Sequence, residues 1–145
     1  MHILNVLRES AEFNQITNTI VRGVSPVNVL CSNTAQKAHF LASLMHEKPQ
    51  KALVILNSDY EAKKFYEDLK FFLGVRAQLF VRKDYIYHDV DSVSRETVFS
   101  RLLVLYEVLN NEEVIVVTSI EALFQYTVPP KVFASNMLNF KLGAI

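Results

Sequence analysis

Val27-Asn28-Val29-Leu30-Cys31 leads into Ser32-Asn33-Thr34-Ala35-Gln36-Lys37 and then Ala38-His39-Phe40-Leu41-Ala42-Ser43-Leu44-Met45. A short apolar run is followed by a polar turn and then a helical pattern. Ala38, Leu41, Ala42 and Met45 recur at i, i+3, i+4 and i+7, which puts them on one helix face. The reading is strand, turn, helix, with a lysine at the turn. A phosphate-binding loop would occupy this place, and it needs G-x-x-x-x-G-K-[ST]. With Lys37 on the motif lysine, Cys31 and Gln36 stand where the two glycines belong and Ala38 stands where the Ser or Thr belongs. The Cβ atoms of Cys31 and Gln36 obstruct the close backbone approach that glycine allows. Ala38 has no hydroxyl to offer Mg²⁺. Only the lysine remains, and a lone lysine at a helix start is usually a solvated side chain. The stretch has the frame of a nucleotide-binding domain without its nucleotide site.

The segments on either side decide the fold class. Residues 1–23 carry two helical stripes, Ile3, Leu4, Leu7 and Ala11, then Phe13, Ile16, Ile20 and Val21, with a break around residues 10–14. Gly23 is a helix-terminating C′ residue, with Pro26 shortly after it. Ala52-Leu53-Val54-Ile55-Leu56 is a continuous apolar run, the pattern of a strand covered on both faces. Ser58 and Glu61 have capping-box spacing, so a helix starts at Asp59, buries Ala62, Phe65, Tyr66, Leu69, Phe72 and Leu73, and closes at Gly74. Residues 77–81 form a third, shorter strand. Residues 94–109 form a helix whose apolar face is Val98, Leu102, Leu105, Tyr106 and Leu109, with Arg95, Glu96, Arg101 and Glu107 on the polar side. Val114-Ile115-Val116-Val117 is β-branched throughout and reads as a strand. A short helix over 119–126 follows and ends at Pro129-Pro130. Met137-Leu138-Asn139-Phe140-Lys141 alternates like a half-buried strand. Alternating strands and helices predict an α/β domain, a parallel sheet with helices on both faces, in which residues 27–31, 52–56 and 114–118 are neighbouring or near-neighbouring strands.

Composition narrows the function classes. The chain has 145 residues and half are hydrophobic, enough for a packed core and too apolar for disorder. Fifteen basic residues balance fifteen acidic ones, so no net positive charge points to nucleic acid. Cys31 is the single cysteine; it cannot form an internal disulfide, and a buried thiol at the end of an apolar run is its ordinary role. No apolar run is long enough to span a membrane and no signal-peptide pattern opens the chain, which makes the cytoplasm the default location. Residues 82–93 hold Arg82, Asp84, Tyr85, Tyr87, His88, Asp89 and Asp91, the richest polar-aromatic segment, on what an α/β domain makes a strand-end loop. His88 beside two aspartates is not a ligand set, because no second His or Cys has matching spacing. No metal site and no catalytic residue are predicted.

The order of these features resembles the N-terminal region of the bacterial transcription-repair coupling factor, Mfd. The resemblance runs from the degenerate loop at 31–38, through 52–74 with its Tyr66-Glu67-Asp68-Leu69-Lys70-Phe71-Phe72-Leu73-Gly74 ending, to Phe80, Asp89, Arg101-Leu102 and Val114-Ile115-Val116-Val117-Thr118-Ser119-Ile120-Glu121-Ala122-Leu123. It implies a non-catalytic scaffold: a UvrB-like first subdomain over residues 1–136 with the fold of a helicase motor lobe and an inactive nucleotide loop. Residues 137–145 would begin the next subdomain. It further implies a larger parent that displaces lesion-stalled RNA polymerase, recruits UvrA for nucleotide excision repair, and binds ATP, Mg²⁺ and DNA through a C-terminal motor absent from these residues. This segment itself needs no cofactor in that reading. Two rivals stand beside it. One is an ATP-dependent protein, either an autonomous nucleotide-dependent enzyme with an atypical loop using Lys37 with Asp84 or Asp89, or a fragment of a UvrB-type or other helicase-like ATPase able to bind nucleotide or DNA. The other is a DNA-binding module using Arg82, Tyr85 and Tyr87, although the span over 82–93 is too short for UvrB's long DNA-clamping hairpin.

Overall fold

A computed structural model describes residues 2–83 and 95–137. The first helical stretch is divided into α1 (His2–Asn5), a 3₁₀ turn (Val6–Glu9) and α2 (Ala11–Val21). Ser10 makes the division: its hydroxyl accepts from the Phe13 N–H, capping α2, and donates to Glu12 at 2.6 Å. That hydrogen bond holds the Glu12 carboxyl below its ordinary pKa. The far end closes as predicted. Gly23 has φ +73°, its N–H donates to the Ile20 carbonyl, and the Val24 N–H reaches back to the Thr19 carbonyl. This is the paired bonding of a Schellman ending, which needs a left-handed residue at that point.

Among the described residues three strands form one parallel sheet, β1 (Ala52–Leu56), β2 (Ala77–Phe80) and β3 (Ile115–Ser119), in the order β1-β3-β2. Ala52, Ile115 and Ala77 share a row, and so do Val54, Val117 and Leu79. These rows face a core shared with α3 (Thr34–Glu47) and α4 (Asp59–Leu73), including Ala38, Ala42, Met45, Ala62, Phe65 and Leu69. We call this side face A. Face B carries Phe80, Val114 and Val116 against Val104 of α5 (Arg95–Asn110) and Ala122 of α6 (Ile120–Leu123). Helices cover both faces, and the chain is an α/β fold. Capping chemistry sets the helix starts: Ser58 accepts from the Glu61 N–H at 3.2 Å and Ser119 from the Ala122 N–H at 3.1 Å.

Four expectations are corrected. Residues 27–31 are not in the sheet; they run without strand pairing, and Leu30 is fully exposed. Among the described residues β1 is an edge strand, and Leu53 and Ile55 on face B remain 55% and 50% exposed instead of being covered. α5 is turned from the predicted face: Arg101 and Val104 are buried, while Val98, Leu102, Tyr106 and Leu109 are exposed. The reason is the pairing of Arg101 with the sheet, described below. Pro129-Pro130 does not merely end a helix but starts α7 (Pro130–Ser135), with proline in its first turn, where no N–H is needed. The predicted strand at 137–141 lies almost entirely outside the described residues, as does the polar-aromatic stretch 84–94.

Candidate functional site

In parallel α/β sheets, ligand sites form at the carboxyl ends of the strands, where neighbouring connections leave toward opposite faces. Here β1 leads to α4 on face A and its neighbour β3 leads to α6 on face B. The common register sets Leu56 beside Ser119, so the residues that follow them meet. Ser119 donates its hydroxyl to Asp59 in a short hydrogen bond. Arg82, just past β2, holds both carboxylates of the cluster: Nε lies 3.1 Å from Asp59 Oδ2, and Nη1 lies 2.7 Å from Glu121 Oε2. All three side chains are roughly half exposed, so the pairs contribute modestly to stability, about 0–1 kcal/mol each. Their effect is to tie the three strand ends together. A cleft of about 410 Å³ opens beside them, with Asp59, Lys63, Arg82, Glu96, Thr97 and Ser100 on its polar lining.

Beneath this cluster lies Arg101, 3% exposed. Its guanidinium stacks on the Phe80 ring at 3.9 Å from the centroid and donates to the Val81 carbonyl at 2.6 Å. It also reaches Gln125 Oε1 at 3.3 Å. Gln125 in turn exchanges two hydrogen bonds with the Lys83 backbone, accepting from N–H at 2.7 Å and donating to the carbonyl at 2.9 Å. A planar cation is suited to this combination of stacking and forked donation. Among the described residues no group of three or more His, Cys, Asp or Glu could hold a metal ion.

The predicted nucleotide-loop residues lie elsewhere. Cys31 is half-buried at the end of the unpaired segment, Gln36 and Lys37 are exposed, and Ala38 is buried against the core. None of them lines the strand-end cleft. The turn is closed by its own side chains: Asn33 Oδ1 accepts from the Gln36 N–H at 2.9 Å, and Gln36 Oε1 accepts from the Ser32 N–H at 2.9 Å. Lys37 N–H already donates to the Asn33 carbonyl at 3.2 Å. Arg82 was singled out in the sequence for nucleic acid, but it binds the two carboxylates. Asp84, Tyr85, Tyr87, His88 and Asp89 lie outside the described residues. Asp59, Ser119, Glu121 and Gln125 were not singled out. The available signal was that two parallel strands each lead to a Ser helix cap with an acidic residue one or two positions later, Ser58-Asp59 and Ser119-Ile120-Glu121.

No family model, curated protein or solved structure matches this chain. No helix among the described residues is long and apolar enough to cross a membrane.

Proposed function

We propose that this chain is a non-catalytic α/β scaffold, similar to the degenerate motor lobe that opens the transcription-repair coupling factor, and that it holds a surface for recruiting UvrA. The observation that carries the reading is the closed turn at the start of α3. A phosphate cradle needs free backbone N–H groups at a helix N-terminus. Here the N–H groups of Ser32 and Gln36 donate to side chains of the turn itself, and that of Lys37 makes the first backbone bond of α3. The residue at the Mg²⁺-ligand position, Ala38, has no oxygen and faces the core. Further support comes from the strand ends, where Asp59 and Glu121 are both engaged by Arg82 rather than free to act as bases. In this reading ATP, Mg²⁺, DNA and RNA polymerase belong to other parts of a larger protein, in the cytoplasm.

Calorimetric titration tests the reading against its ATPase rival. The expected result is no binding heat with Mg·ATP and measurable heat with purified UvrA. Micromolar Mg·ATP binding that disappears in Lys37→Ala would overturn the scaffold and favour a nucleotide-binding enzyme.

A further inference from the structure

α5 turns an apolar line to solvent. Phe99, Leu102, Tyr106 and Leu109 follow one another at steps of three, four and three residues. That spacing holds side chains on one line of a helix, the seam along which two helices pack as knobs into holes. Val98 and Leu103 flank the line, and all six positions are between 36% and 62% exposed. Arg101 and Val104 take the sheet-facing side of the same helix, and Glu96 lies toward the strand-end cleft. Single apolar residues scattered on a surface need no explanation, but a contiguous stripe marks a place where something binds.

Two properties of the stripe identify its occupant. The first is shape. Two copies of α5 running antiparallel, with the twofold axis level with Val104, set Phe99 against Leu109 of the partner subunit and Tyr106 against Leu102 of the partner subunit. Every layer then holds one ring and one leucine, an even filling of the seam. A parallel pair would stack ring on ring and leucine on leucine. The second property is charge. Arg95 is exposed at the amino end of α5, where a cation opposes the helix dipole. Past the carboxyl end come Glu112 and Glu113. Glu112 pairs with Lys51 at 3.2 Å yet keeps its side chain 87% exposed, so it has room for a second cation. Antiparallel pairing brings Arg95 to the negative end of the other helix, near Glu112 of the partner subunit. A parallel pair would bring the two arginines together.

We propose that α5 is the interface of a homodimer, two copies of this chain pairing antiparallel along the stripe. Burying the six side chains on both copies removes on the order of 1,000 Å² from water, the area at which a specific interface begins. An interface of that size holds at micromolar concentration. The inference is independent of the scaffold reading.

Sedimentation equilibrium of the full chain from low to high micromolar concentration tests this. The mass rises with concentration from 16.6 kDa toward twice that value. Leu102→Glu, at an exposed position that the fold tolerates, weakens association by at least about tenfold, because it forces a carboxylate into the seam. Leu53→Glu, exposed on face B and off the stripe, leaves association unchanged. Arg95→Glu weakens it by a smaller factor, and adding Glu112→Lys restores it. Direction is read by disulfide trapping in a Cys31→Ser background: Phe99→Cys and Leu109→Cys chains cross-link to each other when mixed, and neither cross-links to itself. A mass of 16.6 kDa at every concentration would overturn the proposal and assign the stripe to a different partner. So would a dimer that survives Leu102→Glu, or Phe99→Cys chains that cross-link among themselves.

Discussion

The two faces of the sheet use the same three strands and bury them differently. On face A, two long helices and the N-terminal helices enclose a continuous apolar core running from Leu4 to Val117. On face B, α5 and α6 cover the β2 side while Leu53 and Ile55 stay open. A groove of about 410 Å³ between Leu53, Val116, Val104, Leu105, Val108 and Leu123 marks the gap. Face A is held by packed apolar volume. Face B depends on a small cluster and on the polar attachment of Arg101 to the strand ends. The same β-branched segment, Val114-Ile115-Val116-Val117, serves both, because successive side chains alternate between the faces.

This difference predicts a graded response to substitution. Leu69 is fully buried under face A, and Leu69→Ala leaves a cavity in close-packed surroundings. It should lower unfolding free energy by about 2–5 kcal/mol in urea titration. A loss below 1 kcal/mol would mean that face A is loosely packed. Arg101→Leu on face B keeps apolar volume but removes the donors to Val81 and Gln125. The expected loss is about 1–3 kcal/mol, the cost of stranding a buried acceptor. Arg101→Lys should recover only part of it, since an ammonium neither forks nor stacks as a guanidinium does. Full recovery in the lysine variant would reduce the role of Arg101 to charge alone. The smallest change belongs to Leu53→Ala, where the exposed side chain gives a shift within about 0.5 kcal/mol. A shift of the size expected for Leu69→Ala would mean that face B is covered over β1 in solution.

Legibility followed the same division. Face A could be read from sequence because its residues obey simple periods: Ala38, Ala42 and Met45 on α3, and Ala62, Phe65, Leu69 and Leu73 on α4, are buried as their spacing requires. The Ser58 cap and the Gly23 and Gly74 endings were legible because each rests on local backbone chemistry. Face B misled for two physical reasons. A charged residue at Arg101 reads as solvent-facing until the Phe80 ring and Val81 carbonyl that receive it are brought across from another strand. The apolar run at 52–56 reads as doubly covered, although hydrophobicity does not reveal which strand ends at an edge. The strand-end cluster was illegible for a related reason, since Asp59, Arg82 and Glu121 come from three segments whose meeting depends on register. The 27–31 stretch had strand composition, but composition does not supply a bonding partner.

The attachment of the first twenty residues has a kinetic consequence. The N-terminal helices are tied to α3 through the Phe13 ring edge-on to Phe40, the Ile3 carbonyl 2.8 Å from His39 Nε2, and the Arg8–Glu47 ion pair. They make no strand pairing and close no loop through the sheet. Such a unit can detach by a local opening whose free energy is smaller than that of global unfolding. A protease that cuts within residues 1–24 would then act at a rate set by that opening and leave the strand-end network of Arg82 intact. Leu4 and Phe13, buried in the same core as the sheet, set the free energy of that opening and couple it to the packing of α3.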